Sequence, residues 1–288
     1  MFDKLLVPLD GSAQAAVALP LARALAQQTG AVVRLLRVVP PAGPGEKDQG
    51  AIEAKNNLSE IAAELSAGGV RVDTGVRPDD DPGAAIVREA RDWGASAIVM
   101  ATHGRSGLAR VVRGSVAQRV VAESPVPVVL LRPGGRRVTR ITTLLVPVDG
   151  TPGSSLALGA AIPLARETGA RLTLLQVVTP FLQDYLPDGM IFDPAWDEAA
   201  RASAQSYVDT LAERVRESGI AATGVATLGT TAKEIVRVAD DLGADVIVMS
   251  THALTGPMRT LVGSVADEVV RTAHQPVALV RQRNSPII

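Results

Sequence analysis

The chain of 288 residues contains no cysteine, which excludes disulfides, thiol nucleophiles and zinc–thiolate centres together. Histidine occurs three times, as His103, His252 and His274, too few for much metal chemistry. Aromatic residues are 2% of the sequence, so few side chains can stack on single-stranded nucleic acid. Neither sign of charge dominates. The formal net charge is −1, and no overall field draws the protein to nucleic acid or to an anionic membrane. No apolar run approaches the roughly 20 residues of a membrane span, and the opening MFDKLLVPLDGS lacks the regions of a secretory signal. The expectation is a cytoplasmic protein with no nucleic-acid or membrane partner.

What is present is present twice. LLVPLDGS at 5–12 returns as LLVPVDGT at 144–151, and QQTGAVVRLLRVV at 27–39 returns as RETGARLTLLQVV at 166–178 with the same offset. ASAIVMATHG at 95–104 returns as ADVIVMSTHA at 244–253, and GSVAQRVV at 114–121 as GSVADEVV at 263–270, now with a longer common offset. The second copy therefore carries about ten extra residues. The expected domains are 1–133 and 141–288, with an arginine-rich, solvated linker at 134–140.

Within each copy, short β-branched runs alternate with helical periodicity. KLLVPL, VVRLLRVV, VRVDTGVR, SAIVMAT and PVVLLR read as five strands of the first copy. Helices are expected over 13–28, 48–66, 83–93 and 115–123. Gly30 closes the first, and Asp81 with Pro82 starts the third. Apolar strands alternating with helices imply two doubly wound α/β domains, each a five-stranded parallel sheet flanked by helices, Rossmann-like in plan.

Ligands of such sheets sit beyond the strand carboxyl ends, where the strand order reverses. Asp10-Gly11-Ser12 after strand one, Val38 at the end of strand two and ATHGRSGLARVVRGS (101–115) after strand four converge there. Ser115 opens a helix whose unpaired amides can receive a phosphate. Gly104 and Gly114 allow close backbone approach, and Arg105, Arg110 and Arg113 add positive charge. No Walker loop, dinucleotide fingerprint or nucleophile elbow is present.

Together VPxDGS, the T-G-A closing helix one, IVMxTHG, GSVA and PVPVVLLR resemble the universal stress protein family, with two such domains in tandem. The resemblance implies an adenine nucleotide alpha hydrolase-like fold and a role in stress response or signalling. ATP-binding members carry G-2x-G-9x-G-[ST] after strand four. The first copy matches as Ala101-2x-Gly104-9x-Gly114-Ser115, lacking the first glycine, and the second reads Ser250-2x-Ala253-9x-Gly263-Ser264. By position, the resemblance places Asp10 on the ribose, the Val38 backbone at the adenine, and Gly104, Gly114, Ser115 and Val116 on the phosphates. The second set is Asp149, Val177, Ala253, Gly263, Ser264 and Val265. The first copy is expected to hold ATP, with Mg²⁺ through its phosphates; AMP and cyclic nucleotides remain open. Family precedent also pairs domains through their last strands, here an internal pseudo-dimer, with a homodimer as a further step.

Plainer roles compete. Asp10 and Asp149 could serve only the following turn, and Ser115 and Ser264 could be helix N-caps. His103 and His252 lack a partner in sequence and read as loop-positioning residues, and His274 as solvated. Asp79-Asp80-Asp81 reads as a cap with solvated neighbours rather than a metal box. Five of the seven aromatics, Phe181, Tyr185, Phe192, Trp196 and Tyr207, fall in 181–207 and read as packing beneath a long loop. A nucleotide-independent scaffold for an unknown protein partner and a slow ATPase or phosphotransfer enzyme are the alternative functions; no catalytic residue is evident.

Overall fold

A computed structural model describes residues 2–43, 49–102, 115–180, 194–251 and 263–281. The first half runs β1 (Lys4–Pro8), α1 (Ala13–Ala16), α2 (Leu19–Thr29), β2 (Val32–Val39), α3 (Gln49–Ala67), β3 (Arg71–Pro78), α4 (Pro82–Asp92), β4 (Ala97–Ala101), α5 (Ser115–Glu123) and β5 (Val128–Leu131). The second half continues with β6 (Thr143–Pro147), α6 (Pro152–Thr168), β7 (Arg171–Val178), α7 (Pro194–Glu217) and β8 (Ala222–Leu228). It closes with α8 (Thr231–Asp241), β9 (Val246–Thr251), α9 (Ser264–Thr272) and β10 (Val277–Arg281).

All ten strands form one sheet in the order β3-β2-β1-β4-β5-β10-β9-β6-β7-β8. Pairing is parallel within each half, as the alternating pattern predicts. At the junction β5 and β10 run antiparallel, with Val277 opposite Leu130, Ala278 opposite Val129 and Leu279 opposite Val128. The strands of the two halves therefore point in opposite directions, and their carboxyl ends open on opposite edges of the sheet. The core lies on both faces, which is why the strands are apolar at successive positions rather than alternating. Leu5, Val7, Leu35 and Leu58 share one face with Leu144, Leu172 and Val208. Leu6, Leu36, Ile86 and Val120 share the other with Leu145, Ile247 and Val269. Neither core stops at the junction.

Two expectations need correction. The helix expected over 13–28 divides at Val17–Ala18 into α1 and α2. Pro20 has no N–H for the carbonyl four residues back, and its ring crowds that carbonyl. In the second copy Gly159 takes the place of Pro20, and α6 runs unbroken.

The linker is the second correction, because it is fastened at both ends. Val138 is 3% and Ile141 0% exposed. The Arg136 amide donates to the His274 carbonyl at 2.6 Å, and the Arg136 guanidinium lies 3.4 Å from the buried carboxylate of Asp245. Of the three linker arginines, Arg137 and Arg140 are exposed without a described tie. From the first half, the Gln28 Nε2 donates to the carbonyls of Ile141 (2.9 Å) and Thr168 (3.1 Å), and its Oε1 accepts from the Ile141 amide at 2.7 Å. Gln28→Leu strands these backbone groups and is expected to cost about 1–3 kcal/mol, read as a lowered urea midpoint with an unchanged slope.

Candidate functional site

The order β3-β2-β1-β4-β5 reverses between β1 and β4. The chain leaves these neighbours toward opposite faces, and a crevice opens at their carboxyl ends. Asp10 stands just beyond β1. Its Oδ1 accepts from the Ser12 amide at 2.9 Å and the Ser12 hydroxyl at 2.6 Å, and the Ser12 Oγ accepts from the Ala15 amide to cap α1. Gly11 makes the turn at φ +82°, a region open chiefly to glycine. Asp149 repeats the arrangement on Thr151, at 2.9 and 2.6 Å, with Gly150 at φ +78°. The turn-forming role is thus real in both halves, and it also fixes where each carboxylate sits.

Backbone pairing explains why Val38 belongs to the crevice. The Leu36 carbonyl accepts from the Leu9 amide toward β1, and the Val39 carbonyl accepts from the Asp79 amide toward β3. Successive residues of a strand face opposite neighbours, so Val38 faces the β1 side, where β1 has already turned off at Asp10. Val177 is set identically by Val148–Leu175 and Gly229–Val178 bonds. Ala101 ends β4, opposite Leu131.

Ser115 is the first residue of α5, and Ser264 the first of α9. Gly263, at φ −52° and ψ 147°, is the N-cap of α9, with no side-chain cap bond. The capping explanation for Ser264 therefore fails, and its hydroxyl is exposed at the helix start. Val116 and Val265 pack partly against the core, which ties each helix start to its face of the sheet. Gly104, Gly114 and Ala253, with His103, His252, Arg105, Arg110 and Arg113, lie outside the described residues.

Arg37 escaped the sequence reading. It is 8% exposed, donates from Nη2 to the Asn57 Oδ1 at 2.9 Å, and lies directly beneath Gly11. The only linear signal was its replacement by Gln176 in the second copy.

Other expectations divide. Asp81 caps α4, its Oδ1 accepting from the Ala84 amide at 3.0 Å, and no metal-holding cluster occurs among the described residues. Of its neighbours Asp80 is exposed, but Asp79 pairs with Arg88, as Asp81 itself does with Arg119. The Asp81 amide, then Arg88, hold the Asp79 carboxyl below its ordinary range. His274 is exposed but lies 3.4 Å from Asp240, so it is partnered rather than merely solvated. Trp196 and Tyr207, 42% and 38% exposed on α7, are not buried packing; Phe181, Tyr185 and Phe192 lie outside the described residues.

Two doubly wound units joined through their last strands, their carboxyl ends on opposite edges of one sheet, define a tandem α/β architecture. The model of the universal stress protein family matches residues 1–132 and again 140–281, and the chain belongs to that family. A universal stress protein of Methanocaldococcus jannaschii is 32% identical over 144 residues, 48% of this chain and 81% of that protein. One from Bacillus subtilis is 30% identical over 146 residues, 48% of this chain and 97% of its own length. A solved universal stress protein from Archaeoglobus fulgidus superposes with a TM-score of 0.73 at 22% identity, covering 98% of this chain and all (100%) of that one. That last likeness speaks for the fold. No described helix is long and apolar enough to cross a membrane.

Proposed function

We propose that this protein binds ATP in the first crevice and acts as a nucleotide-dependent module in stress response or signalling. What supports the reading is that the Asp10 turn and the Val38 backbone lie at the carboxyl end of β1, beside the reversal between β1 and β4, with α5 the next described element after β4. Asp10 would take the ribose, Val38 the adenine, and Ser115 and Val116, with Gly104 and Gly114, the phosphates; Mg²⁺ would be held through those phosphates. Asp149, Val177, Gly263, Ser264 and Val265 form the weaker second set. The domains extend over 1–133 and 141–288, in a cytoplasmic protein able to form homodimers.

Small molecules released from denatured protein should contain an adenine nucleotide, identified by mass spectrometry, and Gly114→Val should remove it. Calorimetry with no ATP, AMP or cyclic AMP uptake at millimolar ligand refutes the reading. Among the described residues no positioned general base supports rapid hydrolysis, so turnover should be slow. The exposed Trp196 and Tyr207 favour a second reading, a protein-docking scaffold, because aromatics concentrate at interface cores. Partner capture unchanged by Gly114→Val but lost in a Trp196→Ala, Tyr207→Ala protein would support it.

A further inference from the structure

We propose that Arg37 is a positioning residue of the first crevice. Its buried guanidinium forms the floor of the Asp10–Gly11–Ser12 turn, and its replacement by glutamine leaves the second crevice the weaker one. The proposal rests on the nucleotide reading above and concerns what makes one of the two clefts competent.

Residues 35 and 37 of β2 project to the same face, the face covered by α1, α2 and α3. There the Arg37 guanidinium comes so close under Gly11 that a Cβ built on the glycine would lie 2.6 Å from Nη2, 2.8 Å from Nη1 and 3.1 Å from Cζ. The Asn57 Oδ1 on α3 accepts from Nη2 at 2.9 Å and fixes the fork in place. Gly11 is thus required both by its positive φ and by the group beneath it. A buried cation is costly unless matched by acceptors or an anion. This one is set below the turn that carries the Asp10 carboxylate, where it opposes any shift of the turn away from the sheet edge.

The second half provides the contrast within one molecule. Its turn has the same hydrogen bonds on Asp149, but Gln176 stands in the place of Arg37. Counting from the register partners Asp73 and Thr223, Tyr207 stands where Asn57 does. Nothing described lies within 4 Å of a Cβ built on Gly150, and the Gln176 Oε1 is buried without a described partner. Both turns share one shape, and among the described residues the first alone has a cationic floor.

Two measurements on the full chain test this, with Arg37→Gln (the residue of the second copy) and Arg37→Lys. Hydrogen–deuterium exchange without ligand should show the Gly11 and Ser12 amides exchanging faster by about tenfold in Arg37→Gln. In the wild type the 149–151 turn should exchange faster than 10–12. Calorimetry should show ATP binding weakened by about tenfold in Arg37→Gln. Its preference for ATP over 2′-deoxy-ATP should fall toward unity, and Arg37→Lys should recover part of both. The ribose preference is a readout that general destabilisation does not move. Unchanged exchange at 10–12, or equal loss of ATP and 2′-deoxy-ATP with the ratio intact, overturns the role of Arg37. Wild-type protein that takes up neither nucleotide refutes the nucleotide reading and with it this proposal. That result differs from failure of Arg37 alone, in which wild type and Arg37→Gln bind ATP equally.

Discussion

Glu89→Ala is expected to destabilise the protein by about 3–5 kcal/mol, the usual consequence of removing one partner from a buried ion pair. Glu89 lies on α4 and its side chain is 1% exposed, yet two guanidinium groups reach it. Arg34 Nε is at 2.7 Å and Arg77 Nε at 2.5 Å. Arg34 also pairs with Asp73. Its Cζ lies 5.7 Å from the Trp93 ring centroid, with Lys4 Nζ at 5.2 Å from the same ring. Alanine would leave Arg34, its side chain 19% exposed, without its buried counter-charge. The transition temperature should fall on the order of 10 °C, measured by scanning calorimetry. A shift under about 2 °C would show that water already screens the cluster.

The second half states what a full replacement should do. By strand register, Thr173, Thr223 and Thr227 take the places of Arg34, Asp73 and Arg77. Val238, the counterpart of Glu89 in the second copy, takes the buried helix position at 6% exposure. Hydroxyl and aliphatic groups thus fill the same space without charge. Exchanging the whole cluster should therefore cost far less than Glu89→Ala alone, because replacing a buried ion cluster by packed neutral groups is often neutral or stabilising. The large penalty belongs to the orphaned charge rather than to the loss of an attractive contact.

The same comparison separates what could be read in the sequence from what could not. The α/β plan was legible because it is written in local periodicity and repeated at fixed offsets. The caps at Gly30 and Asp81 were legible because their chemistry is local. The break at Pro20 was legible in principle, but the apolar spacing of 13–28 outweighed it. Nothing local sets Glu89 apart from the other polar residues of its helix. Its burial depends on two arginines that reach it only once β2, β3 and α4 are packed. Arg37 was hidden for the same reason, since its direction under the Asp10 turn follows from strand parity and from Asn57 on a separate helix. The β5–β10 junction has no local signature, and it was expected only through family resemblance. The fastened linker was misread because its glycines and arginines resemble those of a solvated tether. Asp245 and Gln28, which hold it, are far in sequence from their contacts in the linker and β6 entry.

Asp10→Ala is expected to weaken ATP binding by about 10- to 100-fold, the range for removing a charged hydrogen-bond partner, whereas Asp149→Ala should change it little. Two effects combine at Asp10. Its Oδ1 is committed to the Ser12 amide and hydroxyl, so alanine loosens the turn as well as removing the carboxylate. Asp10→Asn separates them, because an amide oxygen can still accept from Ser12 while the charge is gone. If turn geometry dominates, Asp10→Asn should bind ATP within a few-fold of wild type, and its Ser12 amide should remain protected from exchange. If the charge on the ribose dominates, Asp10→Asn should fall most of the way to the alanine protein with Ser12 still protected. Equal ATP affinity in wild type and Asp10→Ala would remove Asp10 from the site and return it to the turn alone.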